Sequence, residues 1–211
     1  MGHYKASFKI IISSLVFFIL LIFTFIQLDK VFSFVQISKA LSATGALFIG
    51  ASFSMSWLCY YFDFVDDKIH YRKHLGLVGY FYILAYCLSL LIVDPERYLF
   101  GFKENFWTAD FILGLVSMTM FTFMALISHK KAIVILGAKR WRKAFRVGFL
   151  AWFLLVVRAY ILEKEIWLEW LATFDGFIPP RLFLSFFVIF ILSMRLSIEF
   201  SKMIKKQQIS S

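Results

Sequence analysis

Apolar stretches about as long as a bilayer is thick recur along this chain, and that recurrence limits its possible folds more than any motif does. A helix rises 1.5 Å per residue, so roughly 20 mostly apolar residues cross a ~30 Å hydrocarbon core. Six such spans are read near residues 8–27, 40–62, 75–93, 107–128, 144–162 and 182–204. With 61% hydrophobic residues, 28 Phe and only three Pro in 211 positions, a water-soluble fold would leave too much apolar surface wet. The expectation is an all-α integral membrane bundle, a single membrane domain over 1–211, turning at charged clusters and at Pro95, Pro179 and Pro180.

A net charge of +10 would suit nucleic acid only if the cations formed a soluble stripe, and here they sit in short segments between apolar spans. On one side fall fifteen: Lys5, Lys9, Lys68, Arg72, Lys73, Lys130, Lys131, Lys139, Arg140, Arg142, Lys143, Arg146, Lys202, Lys205 and Lys206. The other side holds six, Lys30, Lys39, Arg97, Lys103, Lys164 and Arg181. Cytoplasmic loops retain Lys and Arg, so both termini are expected in the cytoplasm of a bacterial-type inner membrane, with anionic lipid as a partner at that face. Asp94, Glu96, Glu104, Glu163, Glu165, Glu169 and Asp175 gather on the opposite side, and Trp107, Trp167 and Trp170 fall at the outer boundary as an aromatic belt would. Trp57, Tyr60, Tyr61 and Trp141 fall at the inner one.

Cys59 and Cys87 lie inside apolar spans without C-x-x-C spacing, which argues against a disulfide framework or thiolate metal site. The first span is long and no small-residue cleavage pattern closely follows it, so it is expected to be a retained helix rather than a signal peptide. In the second span Ala46, Gly50 and Ser54 recur every four residues, a pattern that lets a neighbouring helix approach.

Two segments carry a resemblance. One is Tyr71-Arg-Lys-His-Leu-Gly-Leu-Val-Gly-Tyr-Phe-Tyr-Ile-Leu-Ala-Tyr86. The other is Leu136-Gly-Ala-Lys-Arg-Trp-Arg-Lys-Ala-Phe-Arg146, continuing through Arg158-Ala-Tyr160. Over about residues 41–167 the chain resembles the ferric-reductase-like transmembrane family, most nearly the haem-binding membrane subunits of bacterial periplasmic methionine sulfoxide reductase systems. The resemblance implies a scaffold whose third and fifth helices hold b-type haem through histidines. Placed in register on the shared Arg-x-x-Leu-Gly-Leu and Arg-Trp motifs, the ligand positions hold Tyr86, Phe145 and Arg158. Phe offers no lone pair, Arg stays protonated, and Tyr ligates haem only as an activated phenolate, so no haem is expected unless it is atypically ligated.

Arg158 is a cation inside an apolar span, which costs about 2.5 to 3.5 kcal/mol on insertion scales unless a partner meets it. Asp110 lies at similar depth and is the candidate for a buried ion pair; the alternatives are snorkelling to the headgroups or pairing with Glu163. Asp66, His70 and His74, spaced by four, would share a helix face as metal ligands do, although the surrounding cations favour a solvated helix start. The run 130–146, seven cations among Ile133, Val134, Ile135, Leu136 and Trp141, reads as an interfacial loop on an anionic leaflet. Arg195 and Glu199 are expected to pair within the last helix.

There is no G-x-G-x-x-G, P-loop, H-E-x-x-H or nucleophile elbow, and no room for a flavin or nicotinamide domain, so no catalytic residue is assigned. The function expected is that of a haem-less structural or partner-binding membrane subunit, its partner a membrane-associated redox or structural protein. The alternative is an oxidoreductase electron relay through an atypical haem or a quinone. A transporter-like role is a third reading, but no broken helices or inverted repeats are evident.

Overall fold

The computed structural model describes residues 2–30, 32–62, 68 and 71–210, and among these the ordered elements are all helical. They are α1 (Gly2–Asp29), α2 (Phe34–Tyr61), α3 (Tyr71–Val93), a π-helical turn (Glu96–Phe100), α4 (Phe102–Asn105), α5 (Ala109–Ile127), α6 (Lys130–Ala144), α7 (Val147–Thr173) and α8 (Pro180–Ser210). Five of them, α1, α2, α3, α5 and α8, contain stretches long and apolar enough to cross a membrane. α7, which contains most of the fifth expected span, is not among the five. Arg158, Glu163 and Lys164 fall within every stretch of it that is 18 residues long.

The helices run up and down. Near one end of the bundle Ser7 of α1 bonds His74 of α3 (3.0 Å), Tyr61 of α2 bonds Ser197 of α8 (3.2 Å), and Arg146, which precedes α7, pairs with Glu199 of α8 (3.5 Å). Near the other end Asp110 of α5 meets Arg158 of α7, and Glu163 of α7 pairs with Arg181 of α8 (2.8 Å). α7 therefore runs the length of the bundle beside α5 and α8, and the two ends of the chain lie at the same end of it.

Several boundaries differ from the sequence expectation for identifiable reasons. α2 begins at Phe34 rather than residue 40, because Ser33 and Gln36 form a capping box and because Gln36 and Ser38, read as loop, are buried. Ser38 bonds Ser89 of α3 at 2.8 Å. α7 continues past residue 162 to Thr173, bending at Glu163, so Glu163, Glu165 and Glu169 are helical rather than loop residues. The run 130–146 is mostly helix rather than loop, broken at Gly137, whose φ of 73° is open to glycine. Trp141 at its end donates to the Ile127 carbonyl (2.9 Å), satisfying one of the acceptors α5 leaves at its C-terminus.

Ile49, Phe53, Phe121, Ala151, Trp152 and Ile191 lie at the centre of the core, where α2, α5, α7 and α8 converge. Close packing uses small residues, but with a different register from the four-residue stripe. The tight crossing of α2 and α3 is made by Gly45 and Gly79, whereas Gly50 admits Phe187 and Trp152 instead. A Cβ on Gly79 would lie 2.7 Å from the Ile49 backbone nitrogen. Gly79→Ala should therefore force the two helices apart and lower stability by about 1–3 kcal/mol, seen as a lower melting temperature in detergent. Unchanged melting would show that the crossing is loose.

Candidate functional site

Two cavities flank the Phe121 ring, which lines both. The first, of about 330 Å³, lies among α2, α3, α5, α7 and α8, with Tyr86 and Cys87 on one wall and Arg158 on another. The second, of about 380 Å³, lies toward the end that carries the chain termini and is lined by Arg72, Lys73, Tyr80, Trp141 and Phe145. Of the three positions singled out by resemblance, Tyr86 and Arg158 share the first cavity and Phe145 lines the second.

α5 positions the polar side of the first cavity. Asp110 in its first turn is buried, and its carboxylate accepts from Arg97 Nη2 at 2.7 Å. Arg97 comes from the π-helical turn that begins after Pro95, where Asp94 Oδ1 accepts the Arg97 backbone N–H (3.1 Å). Arg158 reaches the same place from α7, but its Nε donates to the Asp110 main-chain carbonyl (2.8 Å). Asp110 thus receives both arginines, the carboxylate taking one and the backbone the other. Glu163, the alternative partner for Arg158, is taken by Arg181 and by the Trp167 indole N–H (3.2 Å). Gly114, one turn after Asp110, makes the approach possible: a Cβ there would lie 3.0 Å from Arg158 Nε.

In the sequence Arg97 reads as one more outer-loop cation, with nothing to mark it as the partner of Asp110. The Asp110-x-x-x-Gly114 spacing, a carboxylate and a gap on one helix face, was the available signal for the Arg158 seat. Among the outer tryptophans Trp107 is 78% exposed as a belt residue would be, while Trp167 is buried against Tyr160. At the other end Arg195 and Glu199 do pair (2.6 Å), with Arg195 also stacked over Phe149. Asp66 and His70 lie outside the described residues. His74, on the first turn of α3, is hydrogen-bonded to Ser7. Among the described residues no three His, Cys, Asp or Glu side chains cluster as a metal site would require. Cys59 and Cys87 are half-buried, and neither forms a disulfide among the described residues.

Haem held by two histidines would need imidazoles on these walls. Among the described residues no histidine lines either cavity, and α7 presents a guanidinium, which is cationic and without a lone pair, to the first.

The helices and cavities define a helical membrane protein with a polar seat buried near one end of the bundle. The chain is similar to the protein-methionine-sulfoxide reductase heme-binding subunit MsrQ of Agrobacterium fabrum (strain C58 / ATCC 33970), 28% identical over 104 residues. The match covers 49% of this chain and 48% of that protein, so it spans about half of the relative's length and supports a distant relationship. No family model and no solved structure matches the chain.

The shared acceptor at Asp110 makes the two ends of its ion pair unequal. Arg97→Gln strands a buried carboxylate and should cost about 3 kcal/mol. Asp110→Asn leaves an amide oxygen for Arg97 and the carbonyl for Arg158, and should cost about 1 kcal/mol. Thermal unfolding of the two purified variants checks the order, and equal losses would refute it.

Proposed function

We propose that this chain is an inner-membrane subunit with six membrane-crossing helices and cytoplasmic termini, built on a ferric-reductase-like scaffold and acting as a haem-less structural or partner-binding component. The observation that carries this reading is the pair of residues facing the first cavity: Tyr86 and Arg158 stand at positions where the resemblance expects ligands, and neither is a histidine. Similarity to a heme-binding subunit supports descent from a redox scaffold, and the donor set argues against keeping its cofactor.

α7 is the sixth crossing in this reading. Its length and its contacts at both ends of the bundle support that role, and the Asp110 carbonyl and Gly114 gap make its arginine tolerable in the membrane. The fifteen cations counted toward the termini favour placing that end in the cytoplasm, with Val134 and Ile135, both more than 80% exposed, meeting the headgroup region beside anionic lipid.

One observation favours the electron-relay alternative. Cys87, Tyr86 and Met118 share the first cavity, and these are side-chain types that an atypical haem could use. The visible absorption spectrum of the detergent-purified protein separates the two readings. The haem-less reading predicts no Soret band that shifts on dithionite reduction, and a stoichiometric b-type spectrum would overturn it.

A further inference from the structure

The Arg158 guanidinium is only half used. Nε is committed to the Asp110 carbonyl, and neither terminal nitrogen has a hydrogen-bond or carboxylate partner among the described residues. That leaves the end-on fork of Nη1 and Nη2, the geometry that binds a two-oxygen anion. The other two arginines near this end of the bundle, Arg97 and Arg181, each have a carboxylate. Among the described residues no carboxylate lines the cavity that Arg158 faces.

A second, independent observation marks the same wall. Thr119 and Thr122 of α5 and its C-cap Ser128 each return the hydroxyl to the carbonyl four residues back. Ser117 of the same helix does not: it is 0% exposed, lines the cavity, and its Oγ has no partner among the described residues. A buried hydroxyl left unpaired is destabilising, so its presence in the same cavity as an underused cation calls for an acceptor. The rest of the wall is aliphatic and aromatic, including Ile83, Leu90, Leu155 and Val188, and Leu115 on the rim is 48% exposed on the apolar flank of the bundle.

We propose that this cavity binds a lipid-chain acid, its oxyanion head on the free fork of Arg158 with Ser117 donating a further hydrogen bond, and its hydrocarbon chain along the aliphatic wall. A water-soluble anion would leave that wall wet, and a neutral lipid would leave the cation unmatched. The volume lies within the range of about 300–1,000 Å³ usual for small-ligand sites. A free fatty acid and a phosphatidic acid share the required head, a desolvated oxyanion that an arginine fork can grip.

Trp152 is 1% exposed and lines the cavity, so it reports occupancy by a brominated chain. The full chain in detergent is titrated with 9,10-dibromostearate, with its methyl ester, and with phosphatidic acid brominated on its acyl chains. The expected result is saturable quenching by at least one of the two acids and none by the ester, with most of the saturable component missing in Trp152→Phe. The more potent acid identifies the source of the head. Arg158→Gln should weaken binding about tenfold or more. Because that variant removes a seated side chain, Ser117→Ala is measured alongside it; it should melt no lower than the parent and bind about threefold more weakly. Quenching by the ester equal to that by the acids, affinity unchanged in both variants, or no saturable quenching by either acid would overturn the proposal.

Discussion

A guanidinium within a lipid-facing bundle must be met by something, and here it is met by a peptide carbonyl. Arg158 crosses from α7 to the Asp110 carbonyl through the space Gly114 leaves, so a helix with too many charges to pass as a simple apolar span still packs along the full length of the bundle. Carbonyls in the first turn of a helix ordinarily accept from within it, so a charged donor adds to, rather than replaces, the α5 ladder. The carboxylate of the same residue is thereby left for Arg97, which ties the π-helical turn after α3 to the start of α5. Removing Gly114 or reversing the Asp110 charge would disturb two helices and a connection together.

The core supports this seat from the other direction. Ala151 and Trp152 of α7 and Phe121 of α5 are almost wholly buried, fixing α7 against α5 below Arg158, and Phe121 divides the interior into two cavities. The three positions singled out by resemblance are divided between those cavities: Tyr86 and Arg158 in one, Phe145 in the other, its ring centroid 4.5 Å from that of Trp141. Arg158 is held by the Asp110 carbonyl and Phe145 by packing on Trp141, so each belongs to its local structure.

Much of the helical plan was legible because hydrophobic length is a blunt, additive signal: α1, α3, α5 and α8 all lie where apolar runs predicted them. The starts and stops were less legible because they depend on pairings between residues. The capping box at Ser33 and Gln36 and the Ser38–Ser89 bond turned a polar, loop-like stretch into buried helix, and Gly45–Gly79 made the close crossing that Ala46 and Gly50 had suggested one residue away. At the candidate site the sequence pointed to Asp110 and Arg158 together. It could not reveal that the carbonyl rather than the carboxylate would receive the arginine, nor that Ser117 would be left without a partner, since both follow from side-chain placement across helices.

The claim on which the rest hangs is that α7 crosses the membrane with Arg158 inside it. Single cysteines introduced as Lys143→Cys and Glu165→Cys, in a background where Cys59 and Cys87 are serine, test it by labelling with a membrane-impermeant maleimide on intact cells and on inverted vesicles. Position 143 should react only from the cytoplasmic face and position 165 only from the opposite face. Labelling of both positions from the same face would contradict it.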